Sequence, residues 1–194
     1  MMESPEPRFS EWLDQLAGPE RSPAGCSAAG VSLSMGLGLF IKALHHPPAD
    51  LSPGFSQGDI ELLQSLFRRV GRQLVSAQRA EAGFAGADAA GKPAARLALY
   101  RVARTLVELA LQGLGQIKPV LDKGGVDFLP DLELAWRLLA TALEGGVAAC
   151  EAHLRDLPSA WIAGEAETLA QQAAYGRELQ ARAYSELAWR LRRV

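Results

Sequence analysis

Residues 23–44, PAGCSAAGVSLSMGLGLFIKAL, place a short loop of proline, alanine and glycine directly before a helix built largely of glycine, alanine and serine. A helix start presents backbone N–H groups without intrahelical partners, and these can seat a carboxylate or another polar ligand edge. Gly25 frees the backbone for unusual angles, and the Ser27 hydroxyl can cap the helix or touch a ligand. Cys26 stands where a helix dipole lowers a thiol pKa, yet no partnered base is visible, which favours a small packing residue. Cys150 reads as a buried helix residue. His45 and His46 precede Pro47 and Pro48 with no third ligand at a recognisable spacing, so no metal site is expected. The chain has no P-loop, Rossmann glycine fingerprint, zinc pattern or nucleophile elbow, which removes several enzyme classes.

The elements that must position these groups follow from hydrophobic periodicity. Gly30, Gly36 and Gly38 each cost a helix about 1 kcal/mol relative to alanine, so close backbone packing or a bound group must offset them. Before this helix, Phe9, Trp12, Leu13 and Leu16 mark a short helix ended by Gly18-Pro19. After it, a proline-rich break from His45 leads to a helix that Asp59 can begin, with Ile60, Leu63, Phe67, Val70 and Leu74 on its apolar face, running to about residue 82. Pro93 opens a fourth helix through Leu97, Tyr100, Leu106, Leu109, Leu114 and Ile117, which Pro119 kinks or ends. A Lys123-Gly124-Gly125 turn follows, and Pro130-Asp131 starts a fifth helix carrying Gly145-Gly146, a second place for close backbone approach. Asp131 can cap that helix. The last segment, residues 159–193, is expected to be one long helix with a row of mostly small residues, Ile162, Ala166, Leu169, Ala173, Gly176, Gln180, Ala183 and Leu187. No stretch alternates like a strand, so the fold class is all-α, an up-and-down bundle of five to six helices forming a single domain over residues 1–194.

Composition bounds the partners. A net charge of −2 over 194 residues gives no basic excess for nucleic acid. The terminal Arg190, Arg192 and Arg193 read as favourable charge at a helix end. Residues 22–41 carry no charge, a length of about 20 residues that meets a membrane span, but the run holds too many small residues and its neighbours are amphipathic, which favours a buried helix. With no signal-like N-terminus and two distant cysteines, a reduced cytoplasmic setting is expected.

The order of landmarks from about residue 9 to about residue 157 resembles the cyclodeaminase/cyclohydrolase family, which includes the C-terminal domain of formiminotransferase-cyclodeaminase and the methenyltetrahydrofolate cyclohydrolases. The family's F-x-x-x-L-A helix and S-P-x-x-G-G-G-S-A-A-A loop look like Phe9 to Ala17 and Ser22-Pro23-Ala24-Gly25-Cys26-Ser27-Ala28-Ala29, followed by Met35. Its acidic-x-x-Ala-Phe segment is similar to Ala80-Glu81-Ala82-Gly83-Phe84, with Pro93 downstream, and the usual aspartate falls on Ala80. Its Gly-Asn turn resembles Gly124-Gly125 with the aspartate kept as Asp131, and its Asn-Val-x-x-Asn-Leu signature appears as Ala149-Cys150-Glu151-Ala152-His153-Leu154.

The resemblance implies a cyclodeaminase-like helical homodimer that takes a tetrahydrofolate derivative as substrate, without a metal, beside the glycine-rich loop. The chemistry implied is closure of a formimino group with loss of ammonia, or hydration and opening of a methenyl ring. Both move protons at a tetrahedral carbon, work for a carboxylate of suitable pKa. Glu81, one residue from the missing aspartate and so turned by about 100° on a helix, and Asp88 are the candidate catalytic carboxylates. Gly25, Cys26, Ser27, Asp131 and His153 are the candidate substrate-binding residues. The changes at Ala80, Gly125, Ala149 and His153 carry the alternative, a catalytically degenerate member that acts as a dimeric binding or scaffolding protein.

Overall fold

The computed structural model describes residues 25–45, 57–123, 129–162 and 164–192. The helix expected near residue 9, the residues before Gly25, the break after His45 and the Gly124-Gly125 turn lie outside them. Five long helices, α1 (Gly25–His45), α2 (Gln57–Gly86), α3 (Lys92–Gly115), α5 (Leu129–Leu154) and α7 (Glu165–Leu191), are joined by the short α4 (Ile117–Lys123) and α6 (Ser159–Ile162). Among the described residues there is no strand, and the architecture is the all-α, up-and-down bundle expected from periodicity.

α1 packs chiefly on α5 and α2, α3 lies against α5 and α2, and α7 covers α5 and α3. Glycine sets the spacing of the central pair. A Cβ on Gly36 would lie 3.0 Å from the Ala135 carbonyl oxygen and 3.0 Å from Leu139 Cγ, and one on Gly145 would meet Ala29 Cβ at 3.6 Å. The pairs 36/139, 29/145 and 25/149 run α1 antiparallel to α5. On the other side of α5, a Cβ on Gly146 would meet Val107 of α3 at 2.9 Å. Leu33, Leu37, Phe40, Leu106, Leu109 and Leu139 fill the interior between these helices.

Three boundaries differ from the periodic reading. α2 continues through Gly83 to Gly86. The fourth helix stops at Gly115, and Pro119 sits in the first turn of α4, where its missing N–H is tolerated. The last segment is not one helix: Gly164, at φ 79, interrupts it before α7. The small-residue row of α7 is used within the chain, since Leu169, Ala183 and Leu187 are buried and Gly176 lies beneath Leu143 and Leu111.

Candidate functional site

α1 begins without an acidic residue in its own first turn. Glu81, five residues from the end of α2, supplies the missing negative charge from a different helix. The Ser27 amide donates to Glu81 Oε1 at 3.1 Å and Ser27 Oγ donates to Oε2 at 2.5 Å. The Cys26 amide also faces this carboxyl. Two of the partnerless amides of the helix start are thereby satisfied by a group that also complements the dipole.

The local sequence explains why Glu81 points inward. Leu63, Leu66, Val70, Ala77 and Glu81 are the buried residues of α2, so Glu81 continues the helix's apolar face at i,i+4 from Ala77. It is only 6% exposed. Ala80, at the position of the family aspartate, is half-buried against the core. The carboxylate expected to be rotated away is therefore the one that reaches the helix start.

Burial pushes the Glu81 carboxyl above its ordinary 4.5, and the hydrogen bonds from the Ser27 hydroxyl, the Ser27 amide and the Cys26 amide pull in the opposite direction. The net direction is upward, with burial outweighing the hydrogen bonds. Cys26 is buried, its Sγ donates to the Leu99 carbonyl at 3.8 Å, and burial followed by the nearby Glu81 charge pushes its thiol up to about 12. Cys150, also buried and free, is pushed up to about 12 chiefly by burial. Neither is an activated thiolate; both pack, as the absence of a partnered base suggested.

Gly25 is exposed, and among the described residues a Cβ there would meet Ala149 Cβ at 4.0 Å. Among the described residues, small side chains face each other here at positions 25 of α1 and 149 of α5. One turn past Ala149, His153 is half-buried near the end of α5. Burial, then the Arg96 charge, lowers its pKa, with Asp156 acting the other way, which favours the neutral imidazole.

Two candidates fall elsewhere. Asp88 is exposed in the turn between α2 and α3, where its Oδ1 accepts from the Gly91 amide at 2.8 Å. Asp131, in the first turn of α5, forms an ion pair with Lys42 at 3.8 Å. Lys42 lies about 22 Å along α1 from Ser27 at 1.5 Å per residue, so one chain does not bring Asp131 to Glu81. Asp131 belongs to the far end of the bundle because α5 runs antiparallel to α1.

Two clusters of neighbours went unread in the sequence. Lys92 Nζ sits 4.1 Å from the centroid of the Phe84 ring and donates to the Phe84 carbonyl at 2.5 Å, while the Arg96 guanidinium stands 5.4 Å from the same ring. Lys92 and Arg96 are i,i+4 on α3, so their shared face was readable, but not the ring beneath it. Deeper along α3, the Tyr100 hydroxyl donates to Glu165 Oε2 at 2.6 Å, and Arg104 pairs with the same carboxylate. This cluster fastens the start of α7 to α3. Among the described residues no group of three or more His, Cys, Asp or Glu side chains could hold a metal ion.

No protein-family model matches the chain, and no curated protein matches it in sequence. In three dimensions it is similar to the crystal structure of formiminotetrahydrofolate cyclodeaminase from Thermotoga maritima, with a TM-score of 0.79 and 12% identity over 96% of this chain and 98% of that one. The chain has the helical fold of that protein.

Proposed function

We propose that the chain acts on a tetrahydrofolate derivative, as a cyclodeaminase or a methenyltetrahydrofolate cyclohydrolase, with Glu81 as its proton-transfer group. The observation that carries this reading is the buried Glu81 carboxyl at the start of α1, with its pKa raised by burial and its orientation fixed by Ser27. The likeness in fold to a formiminotetrahydrofolate cyclodeaminase supports it.

In the hydration direction, Glu81 takes one proton from the water that adds to the methenyl carbon and returns it to the ring nitrogen that departs, while the remaining hydroxyl proton passes to solvent as the formyl C=O forms and the C–N bond breaks. In the ring-closing direction the same carboxyl takes the proton of the attacking nitrogen and delivers it to the leaving ammonia. Ser27 holds the carboxyl in one orientation through both steps. The one-carbon unit approaches beside Gly25 and Ala149, and neutral His153 adds a hydrogen bond there. The reading takes the chain as one cyclodeaminase-like domain and a homodimer in a reduced cytoplasmic setting, without nucleic acid, membrane or metal.

One observation favours a second reading. Both Glu81 oxygens are engaged by Ser27 and the residue is almost sealed, the arrangement of a helix cap in a dimeric binding or scaffolding protein. The decay of methenyltetrahydrofolate absorbance separates the two. Catalysis predicts faster loss than in buffer and a fall of at least about 100-fold on Glu81→Gln, the scale of general acid–base catalysis. No acceleration, with folate binding retained by calorimetry, assigns the binding role. Neither turnover nor binding removes folate from the account.

A further inference from the structure

We propose that copies of the chain associate head to tail, the outer face of α2 on one copy seating in the groove between α5 and α7 on the next. The two surfaces carry one spacing in opposite charge. On α2, Arg72, Val75 and Arg79 stand at i, i+3 and i+7 on an exposed face, with Val75 45% exposed. On α5, Glu144, Val147 and Glu151 repeat that spacing along the wall of a groove of about 360 Å³, which Ala173 and Arg177 help to line from α7. Among the described residues, neither of these two α2 arginines and neither glutamate has an ion-pair partner.

The register fixes the direction of the contact. Laid parallel, α2 sets Arg72 against Glu144, Val75 against Val147 and Arg79 against Glu151, the two charge pairs standing about 10.5 Å apart at 1.5 Å per residue. The same register brings Gly83 level with Arg155, which borders the groove at one end, and Gly71 level with Leu143. Leu143 lies over Gly176, the neighbour of Arg177, so Gly71 comes level with Arg177 as well. No atom of the described residues lies within 4 Å of a Cβ added at Gly71 or Gly83. The flanking arginines of the groove therefore face glycine rather than a like charge. Laid antiparallel, α2 would bring Arg68 level with Arg155, a like-charge contact that opposes docking.

Position makes the contact intermolecular. Ser27 meets Glu81, and Gly38 lies beside Phe67, so α1 runs antiparallel to α2 as it does to α5. Within one chain α2 and α5 thus point the same way but face different sides: α2 packs on α1 and α3, whereas the groove opens between α5 and α7. A parallel contact between copies keeps their bundle axes in one direction. Because two different surfaces meet, the contact repeats from copy to copy and builds a ring or a row. Two exposed ion pairs around one apolar contact are weak and screened by salt, so the assembly belongs to high concentration and low ionic strength.

Sedimentation equilibrium of the full chain at about 0.5 mM in low salt is expected to give a mean mass above the micromolar value, falling back at about 0.5 M salt. Arg72→Glu with Arg79→Glu, and separately Glu144→Arg with Glu151→Arg, each lower the association constant by at least about tenfold, and an equimolar mixture of the two variants restores it. Arg68→Glu with Arg101→Glu changes the net charge as much as the first pair but outside the register, and lowers the constant by less than about twofold. All of these side chains are exposed, so helical circular dichroism is expected to match the wild type. Should one pair nonetheless fail to fold, Val75→Glu, which sets an acid between the two glutamates, carries the comparison with the same tenfold loss. A mass that does not rise at high concentration, a mixture that stays dissociated, or an equal loss in the out-of-register pair overturns the proposal.

Discussion

Glu81 holds its proton more tightly in the folded chain than in the unfolded one, because burial raises its pKa above 4.5 against the pull of the Ser27 and Cys26 hydrogen bonds. The sign of the consequence follows from linkage. Between the unfolded and the folded pKa the native state binds more protons, so the free energy of unfolding falls as pH rises through that interval and levels off above it. Urea titrations at a series of pH values from 4 upward are expected to show this decline in the wild type and its loss in Glu81→Gln, which keeps an acceptor for the Ser27 amide but cannot ionise. An unchanged slope in the variant would mean that other groups set it. The thiols give a second expectation at this scale: with both held at about 12 by burial, Cys26 and Cys150 stay unreactive toward an aromatic disulfide reagent at pH 8 until the chain is unfolded. Much of this site was legible. The small-residue helix start drew attention to Ser27, and extending the apolar row of α2 past Leu74 to Ala77 and Glu81 marks the face it meets. The partnership of Glu81 with Ser27 was not, because a hydrogen bond across 54 positions of sequence leaves no periodic trace.

Glycine has opposite roles in the two helices that build the corner. In α1, Gly36 lies against the α5 backbone, and a methyl there would press on the Ala135 carbonyl oxygen at 3.0 Å, an atom that a rotamer change cannot move. In α2, no atom of the described residues lies within 4 Å of a Cβ added at Gly71. Alanine at either site gains helix propensity of about 0.5–1 kcal/mol, so packing decides the sign. Gly36→Ala is expected to destabilise, with overpacking of about 1–3 kcal/mol exceeding that gain, while Gly71→Ala stabilises by up to about 1 kcal/mol. Denaturation midpoints measure both, and stabilisation by Gly36→Ala would show that α1 and α5 are not held at this spacing. The sequence identified such helices by composition, and it could place the small-residue row of α7 but not its partner. That row proved to face Leu143 and Leu111 inside the same chain, since the two-residue identity of a contact depends on which helix the connection at Gly164 lays beside it.

The remaining question of assembly turns on the outer side of α1. The helix is long and apolar enough to cross a membrane, and half of its most apolar stretch is buried inside the chain. The other half is uncharged from Gly25 to Ile41, with Met35 53% exposed and Phe67 of α2, 42% exposed, beside Gly38. To span a membrane, the helix would have to give up the packing of Leu33, Leu37 and Phe40, which are fully buried against the rest of the bundle. A second copy needs no such loss, because the same small-residue face presented twice allows two helices to approach closely in an isologous contact. Sedimentation at micromolar concentration is therefore expected to give a dimer in buffer without detergent. Met35→Arg, which sets a charge at the centre of that face, is expected to shift the species to monomer while keeping helical circular dichroism and a melting temperature set by the intact interior. A wild-type monomer removes this interface, and a dimer that survives Met35→Arg moves it off α1.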